Sequence, residues 1–192
     1  MGGPGGMDPD LLKTINESTA HLARSLELFD RVVRAPRPGM APEPLNLRDS
    51  LELIGSLLRI HKSPVRIDMT EALAAQLPAV AGVREHVEHA LLNLLLNAQE
   101  AIGQDEGTVV VRATVHGPNV KVSVEDDGPG VRSSVLDRLF QPFVTTKTGL
   151  PGAGLGLCVA RELLTRAEGT VEHSRTKHKG ACFVATLKQW SH

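Results

Sequence analysis

Two runs of alternating apolar and polar residues constrain the fold of this chain more than any other feature. TVVVRATV (108–115) and NVKVSVED (119–126) are joined by HGPN, whose residues are typical of a tight turn. Because successive side chains of a strand point to opposite faces, the pair predicts an antiparallel hairpin with one apolar face. That face must be buried against a second layer of structure.

The segments around the hairpin predict the rest of the fold. Apolar residues at helical spacing predict helices at 45–61, 83–103 and about 155–167. Shorter alternating runs predict strands at 65–69 and 78–82 and a second hairpin from TVEHS (170–174) and ACFVATL (181–187). The order predicts an α+β fold: a two-layer sandwich with helices on one face of a mixed, mainly antiparallel sheet.

The chain ahead of this domain divides into three parts. Residues 1–9 predict a disordered tail or an expression tag. Residues 10–34 predict a helix whose apolar residues recur at alternating spacings of four and three, as in a coiled-coil seam. Pairing with another helix and folding back on the domain both stay open. The four prolines of 35–44 predict a linker, which places the domain at 45–190.

The composition argues against several classes of partner. The formal net charge is -1 and there is no long basic run, so nothing predicts binding to nucleic acid or to a membrane surface. No apolar stretch approaches the roughly 20 residues that span a bilayer. Cys158 and Cys182 lie far apart in apolar surroundings, which predicts free buried thiols in a reducing cytoplasm.

Two asparagines lie on one very apolar helix, in HALLNLLLNAQEAI (89–102). Asn93 and Asn97 are one turn apart and roughly opposite the predicted core stripe of Val87, Leu91, Leu94, Ala98 and Ile102. An unpaired buried amide costs on the order of 1–3 kcal/mol, so either protein or a ligand must supply partners. For this helix alone, amides satisfied by protein are the commoner explanation.

A second motif, EDDGPGV (125–131), follows the end of the first hairpin. Asp126 places a carboxylate at a strand end, where it can accept a hydrogen bond from an exocyclic amine of a ligand. Gly128 and Gly130 let the backbone approach that ligand closely. A simple turn explains the same dipeptides, because Asp-Gly and Pro-Gly are common in turns.

The next two motifs are LFQPFVTTK (139–147) and GAGLGL (152–157). The second opens a helix, where free N–H groups favour phosphate, and Lys147 can supply a positive charge to the same phosphates. GAGLGL follows a loop and lacks the spacing of the dinucleotide-binding fingerprint, and the chain contains no Gly-Lys-Ser/Thr P-loop.

Together these motifs resemble those of the catalytic, ATP-binding domain of bacterial sensor histidine kinases, in the superfamily of gyrase, Hsp90, histidine kinases and MutL. NLLLNAQEAI is similar to the N-box, EDDGPGV to the first glycine box, LFQPF to the F-box and GAGLGL to the second glycine box. KGACFVATL matches the last glycine box loosely. The TTK after the F-box is similar to the nitrogen-sensing subclass. The resemblance covers about 45–187 and implies a Bergerat-type ATP-binding fold.

The resemblance also implies roles for individual residues. Asn97 is expected to bind Mg2+ beside the ATP phosphates and, with Lys147, to be catalytic. Asp126 is expected to bind the adenine amine, and Phe140 and Phe143 to anchor a lid at its start. The full expected ATP site consists of Asn93, Asn97, Asp126, Gly128, Gly130, Phe143, Thr146, Lys147, Gly152, Gly154, Leu155 and Gly156.

Two departures from the family pattern stand out. Ala181 occupies the place of a common threonine in the last glycine box, which predicts weakened ATP binding. The motif that carries the phosphoacceptor histidine is missing, so the helix at 10–34 is expected to be the second dimerisation helix, with the acceptor supplied in trans or from a region outside this chain. His21 has no acidic neighbour and is interpreted as a solvated helix residue. His86 and His89, with no third ligand, are interpreted as helix-surface residues.

The expected function is γ-phosphoryl transfer from MgATP to a histidine, with a response regulator as partner and a homodimer possible. An ATPase or serine kinase of the superfamily is a first alternative. Such relatives carry a glutamate where this chain has Asn93, and an amide cannot take a proton near neutral pH. A non-catalytic nucleotide-binding module is the second alternative, favoured by the missing acceptor and by Ala181.

Overall fold

The structure, a computed structural model, describes residues 41–60, 63–103, 105–145, 154–174, 176 and 179–191. The predicted tail at 1–9, the predicted helix at 10–34 and most of the predicted linker lie outside these ranges. No helix within these ranges is both long enough and apolar enough to cross a lipid bilayer.

The elements follow one another in nearly the predicted order. The strands are β1 (Glu43–Leu45), β2 (Val65–Asp68), β3 (Val80–Gly82), β4 (Gly107–His116), β5 (Asn119–Asp126), β6 (Thr170–Ser174) and β7 (Cys182–Lys188). The α-helices are α1 (Leu47–Ile60), α2 (Thr70–Ala74), α3 (Arg84–Ile102) and α4 (Gly156–Arg166), with a 3-10 helix at Ser133–Arg138.

Among the described residues, five strands form the main sheet, in the order β2-β4-β5-β7-β6. Only the β2–β4 pair is parallel, and the other three pairs are antiparallel. Both predicted hairpins are therefore confirmed, and so is the mixed, mainly antiparallel sheet. The β4–β5 register runs from His116 opposite Asn119 to Val109 opposite Asp126.

The apolar alternation of the strands decides which face of the sheet meets the helices. Val120, Val122 and Val124 of β5 are buried, while the residues between them are half-buried. Helices α1, α3 and α4 complete the core with residues such as Leu51, Leu91 and Leu163. At about 25 cal/mol per Å2 of apolar surface removed from water, this interface between the two layers is the main source of stability. The predicted two-layer sandwich is confirmed.

Three short elements were not predicted. Strand β1 pairs with β3 in a separate two-stranded sheet and includes Glu43 and Pro44, which lie in the predicted linker. Helix α2 has five residues and the 3-10 helix has six, which is too few for a periodic apolar pattern. In α3, the predicted core stripe is buried except for Ile102, which is half-buried at the helix end.

Candidate functional site

Asp126 is the last residue of β5 and continues its inward-facing series. The side chain therefore enters the helix-covered layer and is only 2% exposed. Its Oδ1 accepts hydrogen bonds from the N–H of Gly128 at 3.0 Å and from the N–H of Ala181 at 3.2 Å. One carboxylate oxygen is thus held by the surrounding main chain.

The second oxygen of Asp126 differs. Oδ2 is buried and has no hydrogen-bond partner within the described residues. Burial raises the pKa of this carboxyl above its usual value, and the charges of Asp127 and Glu125 act in the same direction, whereas the two N–H donors lower it. An unpaired buried acceptor is costly, so a ligand N–H that reached Oδ2 would be bound favourably.

Glycines bring three loops together around Asp126. A Cβ on Gly128 would lie 2.9 Å from Oδ1 of Asp126 and 3.3 Å from the carbonyl carbon of Ala101 on α3. Gly130 has φ +78, and a Cβ there would lie 2.8 Å from the carbonyl oxygen of Gly180. A Cβ on Gly180 would fall on the carbonyl oxygen of Asp126. Gly180 was missed as a site residue, although KGACFVATL carries it.

The two asparagines of α3 have different environments. Asn93 is 7% exposed, and its Nδ2 donates to the carbonyl of His89 at 2.8 Å. Its Oδ1 lies 3.7 Å from where a Cβ on Gly156 would be, which places it beside the start of α4. Asn97 is half-buried, and its side chain makes no hydrogen bond with any described residue. Protein therefore occupies the Nδ2 donor of Asn93, whereas the Asn97 amide has no hydrogen-bond partner among the described residues.

The N-terminus of α4 lies against α3 near Asn93. Leu155 occupies the N-cap position and provides no side-chain hydrogen bond, so the first N–H groups of this 11-residue helix have no side-chain cap. Gly154, at φ +65, leaves no room for a Cβ, which would lie 2.8 Å from the carbonyl oxygen of Val144. The backbone N–H of Phe143 donates to the carbonyl of Gly154 at 3.1 Å.

The two predicted anchors of the lid behave differently. Phe140 is half-buried against the core, with its ring edge-on to Phe183 at 6.3 Å between centroids and the guanidinium of Arg161 at 5.8 Å. The ring of Phe143 is 74% exposed, at φ 63. Anchoring by the Phe143 ring is thus wrong, because among the described residues the backbone of Phe143, and not its exposed ring, contacts the loop. Thr146, Lys147 and Gly152 lie outside the described residues, and their roles stay predictions.

No group of three or more His, Cys, Asp or Glu side chains among the described residues could hold a metal ion. His86 and His89 are half-buried rather than on the helix surface, which corrects their interpretation. Burial and the nearby Arg166 lower the pKa of His86. Both cysteines are free thiols, with Cys182 buried and Cys158 half-buried, and burial raises the pKa of Cys182 to about 11.

Comparisons with known proteins match this part of the chain. Residues 82–191 match the family described as histidine kinase-, DNA gyrase B- and HSP90-like ATPases. Over 185 residues the chain is 30% identical to the sensor histidine kinase ZraS of Escherichia coli K12. This match covers 95% of this chain and 38% of ZraS. Over 175 residues it is 29% identical to the sensory histidine kinase/phosphatase NtrB of Klebsiella oxytoca, covering 86% of this chain and 49% of NtrB.

Solved structures show the same fold. The histidine kinase ThkA, in its crystal structure with the response regulator protein TrrA, matches with a TM-score of 0.73 and 23% identity, covering 96% of this chain and 53% of ThkA. The chain spans less than half the length of the curated relatives ZraS and NtrB.

Proposed function

The chain belongs to the family of histidine kinase-, DNA gyrase B- and HSP90-like ATPases, and we propose that within this family it is the ATP-binding catalytic domain of a two-component sensor histidine kinase. In this role it holds MgATP in position for transfer of the γ-phosphoryl group to a histidine that residues 1–192 do not supply. The similarity to ZraS and NtrB, both named as histidine kinases, supports the proposal.

The observation that carries the proposal is Oδ2 of Asp126, which is buried and has no hydrogen-bond partner in the part of the chain that the structure describes. Adenine presents an exocyclic amine that can donate to this oxygen. Hypoxanthine and guanine have a carbonyl oxygen at the same place on the ring, which would face the carboxylate without a proton between them. A site built to accept that amine rejects bases that lack it. An acceptor in this position therefore favours adenine.

The phosphates of ATP would lie between α3 and the first turn of α4. Free N–H groups at that turn favour an anion, and Lys147 adds a positive charge in the proposal. Asn97 fits a magnesium site, because its amide makes no hydrogen bond with the described residues and Mg2+ takes oxygen ligands that it shares with phosphate and water. When bound, Mg2+ neutralises charge on the phosphates during transfer. Asn97 and Lys147 are the proposed catalytic residues.

The environment of Asn93 separates the proposal from an ATPase. The Nδ2 of Asn93 is committed to the carbonyl of His89 at 2.8 Å, and an amide has no basic group with which to activate water. A neutral imidazole needs no such base to act as a nucleophile. Asn93 therefore supports transfer to histidine and slow intrinsic hydrolysis of ATP.

The proposed partners follow from the same role. ThkA was crystallised with a response regulator protein, and the shared fold supports an equivalent partner for this chain. A second copy, paired through residues 10–34, is the proposed dimer partner. Both proposals concern the whole protein, of which this chain is the catalytic part.

Titration calorimetry with ATP tests the nucleotide site. The chain should bind ATP, and Asp126→Asn should weaken binding at least about tenfold. The asparagine NH2 group would replace one carboxylate oxygen, so a donor would face the adenine amine where the acceptor Oδ2 lies in the unaltered chain. The matched control is Asp105→Asn, at an exposed position two residues before β4. Its affinity for ATP should equal that of the unaltered chain. Equal ATP affinity in Asp126→Asn would contradict the proposal.

Incubation with MgATP that carries a labelled γ-phosphate tests the missing acceptor. The chain should bind ATP without becoming labelled. Acid-labile label that disappears in His21→Gln would show that the chain contains its own acceptor, and the proposal would then be wrong on that point.

A further inference from the structure

A side chain, not the backbone, closes the last rung of the β4–β5 ladder. The N–H of Thr108 donates to both carboxylate oxygens of Asp127, at 3.0 Å to Oδ1 and 2.9 Å to Oδ2. The N–H of Asp127 donates to the carbonyl of Thr108 at 3.3 Å. In a continued antiparallel ladder, the N–H of Thr108 would donate to the backbone carbonyl of Asp127. The Asp127 carboxylate takes the place of that carbonyl.

This substitution lets the chain leave the sheet immediately after Asp126. Because the backbone carbonyl of Asp127 is released from the ladder, the chain can turn, and the N–H of Gly128 reaches Oδ1 of Asp126 at 3.0 Å. That hydrogen bond and the one from Ala181 occupy Oδ1 and leave Oδ2 as the free oxygen. The rung made by Asp127 is thus connected, through the turn and the N–H of Gly128, to the carboxylate of Asp126.

The neighbouring residues leave room for this rung. A Cβ on Gly107 would lie 2.6 Å from Oδ1 of Asp127, so any larger residue at 107 would displace the carboxylate. Asp127 itself is exposed, and its side chain points back along β4. Its effect on a bound nucleotide therefore has to pass through Asp126.

We propose that Asp127 is a positioning residue for the nucleotide site: its carboxylate ends the β4–β5 ladder and thereby aims Oδ2 of Asp126 at the base. The inference rests on the proposed function, because it requires that Asp126 binds the adenine amine. It adds a residue whose role is to position Asp126, because its own carboxylate is engaged by the N–H of Thr108.

The ratio of the dissociation constants for ITP and ATP is the measurement that tests this role. ITP carries a carbonyl oxygen where ATP carries the amine, so the ratio reports the orientation of Oδ2. A smaller folded fraction would weaken the apparent binding of both nucleotides equally and would leave the ratio unchanged. Asp127→Ala removes the acceptor, Asp127→Glu moves the carboxylate by one methylene, and Asp127→Asn keeps an acceptor at the same distance. Asp105→Ala is the control for loss of an exposed carboxylate.

Asp127→Ala and Asp127→Glu should each weaken ATP binding about tenfold and bring the ITP/ATP ratio towards one, while Asp127→Asn stays within about threefold of the unaltered chain. Unchanged ratios in the Ala and Glu variants would overturn the inference, even if both unfold at lower temperature. If circular dichroism shows that Asp127→Ala does not fold, the Glu variant decides the question by itself. An unaltered chain that binds neither nucleotide would instead overturn the proposed function.

Discussion

The backbone N–H of Ala181 donates to Oδ1 of Asp126 at 3.2 Å, although 55 residues separate the two along the chain. The N–H of Asp126 in turn donates to the carbonyl of Ala181 at 2.9 Å. These bonds join the end of β5 to the approach to β7 and fix the carboxylate between them. Since Ala181 contributes only its main chain, this contact does not depend on the side chain at position 181.

Asp126 gives the domain a pH dependence with a defined sign. Its pKa is raised above 3.8 in the folded protein, chiefly by burial, so the folded state binds this proton more tightly than the unfolded state does. The contribution of Asp126 to stability is therefore greatest below pH 3.8 and is lost as the pH rises through the folded pKa. ATP affinity should change in the opposite direction, because protonation removes the free acceptor.

Urea unfolding and ATP titration between about pH 4 and 7 check both signs. Relative to Asp126→Asn, the ligand-free chain should lose unfolding free energy as the pH rises. Over the same range the unaltered chain should gain ATP affinity. If the unfolding free energies of the two proteins depended on pH in the same way, burial would not raise the pKa of Asp126 in the folded protein.

Gly180 should be far less tolerant of alanine than Gly117, although both have positive φ. Gly180 has φ +124, and its Cβ would fall on the carbonyl oxygen of Asp126, whereas Gly117 has φ +57 and open space around it. We expect Gly117→Ala to cost about 1 kcal/mol of unfolding free energy, and Gly180→Ala about 3 kcal/mol or more, because strain and a backbone clash add. Gly180→Ala should also weaken ATP binding.

Denaturant unfolding of the two variants measures these costs. Equal costs would mean that the β6–β7 turn moves freely away from Asp126, and ATP affinity in Gly180→Ala would then be unchanged.

The parts of the fold with a strong local period could be predicted from the sequence. Strands β4 and β5 alternate over eight or more residues, and α3 repeats its apolar residues over five turns, so all three were located within one or two residues. Asp126 and Asn97 could be singled out as candidates in the same way, because each lies at a fixed place in such an element, and their roles stay predictions. Strand β1 has three residues, one of them proline, and its partner β3 lies far along the chain, so no local pattern could reveal it.

The finer geometry of the site depends on contacts that no local pattern contains. Which oxygen of Asp126 stays free is decided by Ala181, and the turn after it by the rung between Asp127 and Thr108. The Phe143 prediction was wrong for the same reason. Phe140 and Phe143 are both aromatic residues of one short motif, and only the position of Phe183 decides which ring is packed.

Phe140 and Phe143 offer a matched pair of ring deletions. Phe140→Ala removes an edge-to-face contact with Phe183 and the ring beneath Arg161, so we expect a loss of about 2–3 kcal/mol of unfolding free energy. Phe143→Ala removes a ring that is 74% exposed and should change stability by less than about 0.5 kcal/mol. Thermal and urea unfolding measure both losses of stability. A larger loss for Phe143→Ala than for Phe140→Ala would contradict the assignment of Phe140 as the packed ring.

His86 should make the domain less stable as the pH falls below neutral. Burial, followed by the charge of Arg166, lowers the pKa of His86 below 6.5, with His89 acting in the same direction and Glu85 against it. Nδ1 of His86 and Nη1 of Arg166 are both buried without a hydrogen-bond partner among the described residues. A proton on His86 would therefore add a second positive charge to a site that does not solvate it.

The sign follows from the two states. Below pH 6.5 the unfolded chain binds a proton at His86 that the folded chain resists, so stability is present above 6.5 and is lost as the pH falls towards the folded pKa. His86→Gln should remove this part of the slope between about pH 7 and 5.5, whereas His116→Gln, on the exposed β4–β5 turn, should keep it. Urea unfolding across that range measures the slopes, and identical slopes for the two variants would mean that His86 titrates as it does in the unfolded chain.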